Sequence, residues 1–384
     1  MPIYPLAELV DLINEKVSVD QLKPSQYVST ENLLPNYAGL EFSTKLPALS
    51  SATLFRPKDI LVSNIRPYLK KVWQSNIDGG ASNDVIVFRA KDGISDEYLA
   101  TVLRDDSFID YVMRDAKGVK MPRGDISSIL KYPVYYPEAP ERQKITECLL
   151  SLDELIIAET QLMNSLETQK TGLMQQLFPR EGTNIPLRRF PEFQNTAEWK
   201  EVAAGEVFSN RIERGNSNLP IYSVTMTEGL TPRASLKRRI DNISSPSANK
   251  AVRKGDIAYN MMRMWQGALG VAPEDCMVSP AYVVLRPNDV NPKFFYFLLK
   301  LPETLQVLTA HSRGLTEDRL RLYYDDFSKV RLLCPPVPEQ DRIAECLSSL
   351  ENLIAIQGQK ILRLVSHKKG LMQQLFPVFS SVAT

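Results

Sequence analysis

Histidine and paired cysteine are scarce in this sequence. Two histidines, His311 and His367, stand among 384 residues, and Cys148, Cys276, Cys334 and Cys346 form no C-x-x-C spacing. A His-based metal or acid–base centre is therefore not expected, nor is a zinc site or a disulfide framework. Reduced thiols in a cytoplasmic protein are the expectation. No run of about 18 apolar residues is present to span a bilayer, and MPIYPLAELV lacks the basic segment and apolar stretch of a signal peptide. Cofactor signatures are also missing. There is no G-x-x-x-x-G-K-[ST] phosphate loop, no glycine-rich S-adenosylmethionine loop, and no Asn-Pro-Pro-aromatic or Asp-Pro-Pro-Tyr motif; Asn260 is followed by Met261 and Met262. Intrinsic catalysis is not expected, and neither is a bound cofactor or metal. GDI occurs at 124–126 and 255–257, where Asp125 and Asp256 suit turn caps better than metal ligands.

Excess charge is lacking as well. The net charge is +1, whereas a domain that grips nucleic acid alone is usually basic. The distribution is uneven: residues 199–338 hold 19 Lys and Arg against 14 Asp and Glu, and residues 1–140 hold 16 against 18. A binder of this charge would need help from partners to hold phosphate. Length and an ordinary 43% hydrophobic content indicate two or three globular domains.

An internal repeat organises the chain. Residues 141–179 and 339–377 align without a gap, about half their positions are identical, and both end in GLMQQLFP. Both copies predict a long helix. Ile145, Leu149, Leu152, Ile156, Met163, Leu166, Leu173 and Leu177 recur at heptad spacing, and Ile343, Leu347, Leu350, Ile354, Ile361, Leu364, Leu371 and Leu375 match them. Glu159, Lys170, Gln357 and Lys368 interrupt this seam, either fixing register or reaching to solvent. Cys148 and Cys346, beside the seam, are expected to be buried and inert. Pro140 and Pro338 precede the helices, and Pro179 and Pro377 follow them.

Each helix follows a mixed region. Residues 59–65 and 84–90 read as strands, 96–115 as a helix and 131–137 as a closing strand. Residues 255–261, 281–287, 292–301 and 329–335 repeat that order. Residues 180–198, rich in Pro, Gly and Asn, read as a linker. The expected organisation is a first domain over 1–140, a helix over 141–179, the linker, a second domain over 199–338, a helix over 339–377 and a tail over 378–384. The expected fold class is two α/β (α+β) domains joined by two long antiparallel helices in a pseudo-two-fold arrangement.

The I-x-E-C-L-x-S-L helices ending in GLMQQLFP resemble the specificity subunit of type I restriction–modification enzymes. So do the join PLRRFPEF before Trp199, the segment 254–270 with SPAYVV, and, more weakly, PKDILVSNIRPYLKKV with SNDVIVFR. The first unit opens on YPLAEL, without the tryptophan that introduces the second. The resemblance implies a non-catalytic DNA-binding subunit in the cytoplasm. Its two target recognition domains would each read half of a bipartite, interrupted double-stranded site. Its helices would dock two methyltransferase subunits, and ATP-dependent restriction subunits would join the full complex. A specificity subunit of a type II-like system that cuts beside its site is the alternative. A stand-alone methyltransferase or nuclease lacks its motifs, and a purely helical scaffold leaves the α/β units unexplained.

Reading DNA requires Arg and Lys for phosphates and Arg, Asn, Gln or Lys for base edges. The candidates in the first domain are Arg56, Lys58, Asn64, Arg66, Tyr68, Lys70 and Lys71 around one strand, with Trp73 beside them, and Lys117, Lys120 and Arg123 in a later loop. In the second they are the triplet Lys237, Arg238 and Arg239, the loop residues Asn260, Arg263, Trp265 and Gln266, and Arg313 next to His311 and Ser312. Trp73 and Trp265 fit a core position equally well.

Overall fold

The computed structural model describes residues 2–226, 228–236, 246–316 and 319–376. It divides into two compact units, one of residues 1–160 with 359–384 and one of residues 161–358. Each unit thus combines one α+β domain with part of both long helices.

Each of the two domains builds its own sheet with the same strand order. In the first unit four antiparallel strands run in the order Val10–Leu12, Val85–Ala90, Ile60–Ser63, Val72–Gln74. In the second the order is Phe208–Asn210, Tyr282–Pro287, Ile257–Asn260, Leu269–Val271. The central pairs even keep register: Ile60 faces Phe88, and Ile257 faces Leu285. The β-branched runs of the central strands bury both faces. A closing strand completes each unit, Pro133–Tyr135 against Ile3–Pro5 and Arg331–Cys334 against Lys200–Ala203.

The turn entering each central strand explains its acid. Asp59 accepts from Arg56 N at 2.8 Å, and Asp256 from Arg253 N at 2.8 Å. Both carboxylates are buried and held by an arginine, Arg89 from the neighbouring strand and Arg211 from just beyond the edge strand Phe208–Asn210. Arg89 reaches Asp59 at 2.8 and 2.6 Å, and Arg211 reaches Asp256 at 2.5 and 3.1 Å. Asp256 of the second GDI therefore caps a turn, and Asp125 of the first caps the short helix Ile126–Ile129.

The segment 96–115, expected to be one helix, is two: Asp96–Leu103 and Asp106–Arg114. The break falls at Arg104–Asp105 because the Asp105 side chain accepts from Ser107 N and starts a new helix. Ser95 caps the first of the pair by accepting from Tyr98 N.

The long helices are Ala139–Leu177 and Val337–Leu375. Pro140 and Pro338, expected just before the helices, lie inside their first turns, where no backbone hydrogen bond is lost. All sixteen seam residues named above are buried or half-buried. In the first unit, Ile145 and Leu149 share a core with Met372 and Phe376. In the second, Leu177 and Phe178 share one with Ile343, Ala344 and Leu347. The start of one helix thus packs beside the end of the other, which makes the pair antiparallel within each unit. Cys148 is exposed and Cys346 half-buried, against the expectation of burial. The seam turns through Ile145, Leu149 and Leu152, so a residue beside Leu149 falls on its solvent flank.

The seam lysines do not reach to solvent. Lys368 Nζ lies 2.5 Å from Asp153, and Lys170 is bound to the Glu351 carboxylate. Asp153 and Glu351 occupy equivalent places in the two repeats, as do Lys170 and Lys368. Glu159 pairs with Lys360 at 2.6 Å. Each half of the helix pair therefore has a charge lock that one residue of slippage would break.

The expected linker is docked in the second unit. Arg189 reaches Glu339 through two hydrogen bonds of 2.8 and 2.5 Å, with side chains 6% and 1% exposed. Trp199 is buried edge-on against Phe178 and Phe294.

Two outcomes follow from these pairs. Lys368→Glu should destabilise the chain by about 1–3 kcal/mol, since removing one partner of a buried pair costs about 3–5 and this pair is partly exposed. The exchange K368E with D153K should recover most of it in a denaturant titration; an unchanged midpoint in the single variant would remove the lock. Arg189→Met strands the Glu339 carboxylate and should cost about 3–5 kcal/mol. Adding E339Q should restore part of the loss; no recovery would show that Arg189 acts by packing alone.

Candidate nucleic-acid interface

In the first unit the interface is built from two loops. The strand Ile60–Ser63 runs into Asn64, whose N–H donates to Asp84 O at 2.8 Å. The chain then turns through Arg66, the short turn Pro67–Leu69 and Lys70. Arg66 and Lys70 are left-handed, at φ 51° and 56°. Such a conformation costs a non-glycine residue about 1–2 kcal/mol, so the surroundings must hold it. Arg66 N donates to Pro122 O at 2.8 Å, and Ile65 bridges Arg123. Asn36 N and Tyr37 N donate to Leu69 O and Lys70 O at 3.0 and 2.9 Å. In the second loop Lys117 and Arg123 exchange two backbone hydrogen bonds of 2.9 Å, and Gly118 supplies the left-handed turn at φ 101°.

These contacts bring Asn64, Arg66, Tyr68, Lys117, Lys120 and Arg123 together. Arg66 and Lys120 are exposed and carry no ion pair among the described residues; Tyr68 is exposed. Lys117 lies 3.1 Å from Asp125, and Arg123 2.7 Å from Asp84. Hydrogen bonds from Ser127 and then Lys117 hold the Asp125 carboxyl down to about 2. Exposed pairs of this kind are weak and screened by salt, so a phosphate could take over either cation. Asn64 Oδ1 is buried without a hydrogen-bond partner among the described residues.

The other candidates of this unit are placed differently. Lys70 binds Asp106 at 2.6 Å, and Lys369 binds the same carboxylate at 2.9 Å. Lys71 Nζ donates to Thr30 O at 2.6 Å, and burial lowers its pKa. Both lysines are tied into the fold. Arg56 and Lys58 stand at the opposite end of the strand, each 3.6 Å from a carboxylate, Glu15 and Asp96. Trp73 is half-buried, edge-on to Phe55.

The second unit repeats the pair of loops with other side chains. Asn260 ends the strand and its Oδ1 accepts from Met262 N at 3.0 Å. Gly267, at φ 78°, caps the turn Met264–Gln266. Arg313 and Arg321 exchange two backbone bonds of 2.9 Å around Gly314, and Leu322 N donates to Met261 O at 2.9 Å, joining the loops. Arg263 and Gln266 are exposed and Trp265 is half-buried. Arg313 pairs with Asp326 at 2.6 Å and lies over the Tyr323 ring. His311 and Ser312 bond back to carbonyls of their own helix, Val307 and Leu308. Lys237, Arg238 and Arg239 lie outside the described residues.

Exposed Arg319 and Arg321 belong to this surface and were missed. The signal was available: Lys117-Gly118-Val119 aligns with Arg313-Gly314-Leu315, and carrying the alignment on makes Arg321 the counterpart of Arg123 in a loop two residues longer. Cations, amides and aromatic rings on paired loops suit phosphates and base edges. Among the described residues no group of three or more His, Cys, Asp or Glu could hold a metal. No described helix is long and apolar enough to cross a membrane.

Residues 197–365 match the family model for the type I restriction modification DNA specificity domain. The chain is 27% identical over 196 residues to the type I restriction enzyme HindI specificity subunit of Haemophilus influenzae, covering 48% of this chain and 42% of that protein. It is 24% identical over 155 residues to the MjaVIII specificity subunit of Methanocaldococcus jannaschii, covering 39% of this chain and 36% of that one. The chain thus spans about two fifths of the curated relatives it matches. In fold it is similar to the S subunit of a type I restriction–modification system from M. genitalium, with a TM-score of 0.64 at 14% identity over 99% of this chain and 96% of that one. A chain from a type I R-M system described for complex assembly and conformational transition gives 0.56 at 19% identity over 97% of both. Residues 197–365 are thus similar in sequence to a type I restriction modification DNA specificity domain, and nearly the whole chain shares its fold with solved chains of type I systems.

Proposed function

We propose that this chain reads DNA sequence for a restriction–modification complex and performs no chemistry itself. Each unit reads one half of a bipartite, interrupted site in double-stranded DNA. The long helices dock the methyltransferase subunits, two in number, and ATP-dependent restriction subunits complete the assembly in the cytoplasm. One observation carries this reading: the same two-loop platform is built twice on the same sheet, with different side chains at the tips. The first unit presents Arg66, Tyr68 and Lys120; the second presents Arg263, Gln266 and Arg321. A scaffold would have no use for two divergent loop pairs on a common frame. A reader of two different half-sites requires them.

Domain grafting tests it. Replacing residues 199–338 by the second domain of another specificity subunit should change one half of the methylated motif and leave the other intact. Change in both halves, or in neither, would sink the two-reader assignment.

Charge sets a second expectation. With a net charge of +1, the isolated full chain should bind duplex DNA weakly at physiological salt and strongly once the modification subunit is added. Arg66→Ala together with Lys120→Ala should flatten the salt dependence of the complex by about two units in log–log slope, near 0.9 per phosphate contact. Tight sequence-specific binding by the isolated chain, or an unchanged slope in the double variant, would count against it.

A further inference from the structure

The two loop pairs share one feature that phosphate and base-edge contacts leave unused. Val119 and Leu315 are 101% and 99% exposed, the most exposed large hydrophobic residues among those described. A lone exposed apolar residue needs no explanation. Here the same position is apolar and fully exposed in both units, one residue after a left-handed glycine, Gly118 or Gly314. Each sits at the tip of a hairpin closed by two backbone hydrogen bonds, Lys117 with Arg123 and Arg313 with Arg321. Each hairpin is anchored to the strand loop behind it, by Arg66 N on Pro122 O and by Leu322 N on Met261 O. The tips are therefore held out on stiff supports, with cations at their bases.

An apolar tip cannot hydrogen-bond a phosphate or a base edge; on a base edge it meets only a thymine methyl. It can enter between stacked bases, where water is excluded, while adjacent cations hold the flanking phosphates. We infer that Val119, and Leu315 in the second unit, are wedges that insert at a base step of bound DNA and partly unstack it. This rests on the DNA-reading function proposed above. The branched Val119 side chain has little rotamer freedom to lose on insertion. Residues 117–123 contain no acid, whereas the second loop includes Glu317 and Asp318, so Val119 is the position to test first.

The full chain is used to select duplexes from a random-sequence pool at low salt. 2-Aminopurine, which brightens on unstacking, is then placed at each position of a selected duplex in turn. The wild-type chain should raise the fluorescence at one step roughly twofold or more, as partial unstacking requires. Val119→Ala should abolish that rise and weaken binding by about three- to tenfold while leaving the melting temperature unchanged, because the side chain touches nothing in the fold. Lys120→Ala should weaken binding but keep the rise in the bound complex. A rise that survives Val119→Ala, or no rise at any position in a bound duplex, overturns the wedge and leaves DNA reading intact. Loss of binding to purified modification subunit in Val119→Ala, with unstacking retained, would make the tip a protein contact and also overturn it. Failure of the wild-type chain to retain any duplex would overturn DNA reading and the wedge together.

Discussion

The structure depends on one constraint: an apolar helix seam must be covered, and in each unit the start of one long helix is covered by the end of the other. Ile145 and Leu149 meet Met372 and Phe376 in one core; Ile343 and Leu347 meet Leu177 and Phe178 in the other. Hydrophobic burial alone tolerates sliding, because a heptad seam looks similar one turn along. The ion pairs of Asp153 with Lys368 and of Glu351 with Lys170 do not tolerate it. Register is thus set by charge on a surface whose stability comes from apolar packing, and the identical GLMQQLFP endings follow from serving equivalent cores.

On this base the chain separates what must stay from what can vary. Buried Asp59 and Asp256, each bound by an arginine and capping the turn before a central strand, hold the platform. The loops leaving the far ends of those strands carry the divergent residues. Even backbone demands are met differently. The left-handed position that Gly255 fills in the second unit is Lys58 in the first, and the one that Gly267 fills is Lys70. Lys70 can pay that conformational cost because its ammonium also binds Asp106.

Much of this was legible in the sequence, and what was not has physical reasons. The duplication, the helix seams and the central strands are local periodicities, so they are visible in the residues themselves. The pairing of Ile3–Pro5 with Pro133–Tyr135 is short and spans almost the whole domain, and no local pattern announces it. Lys70 and Lys71 stood in a long basic cluster of the sequence, yet one is held by Asp106 and the other by Thr30 O. Inward-turned cations are a tertiary fact. The break at Arg104–Asp105 turned on whether an aspartate caps a new helix or rides on a continuing one, and both occur. The linker composition likewise gave no sign of the buried Arg189–Glu339 pair.

The central claim is that two units on one chain read two separate half-sites. It is tested most directly by single-molecule sequencing of methylated DNA from cells that carry this chain with its methyltransferase. The account predicts a methylated motif of two short specified blocks separated by a gap of fixed length and unspecified sequence. A single uninterrupted motif, or the same methylation in cells lacking this chain, would contradict it.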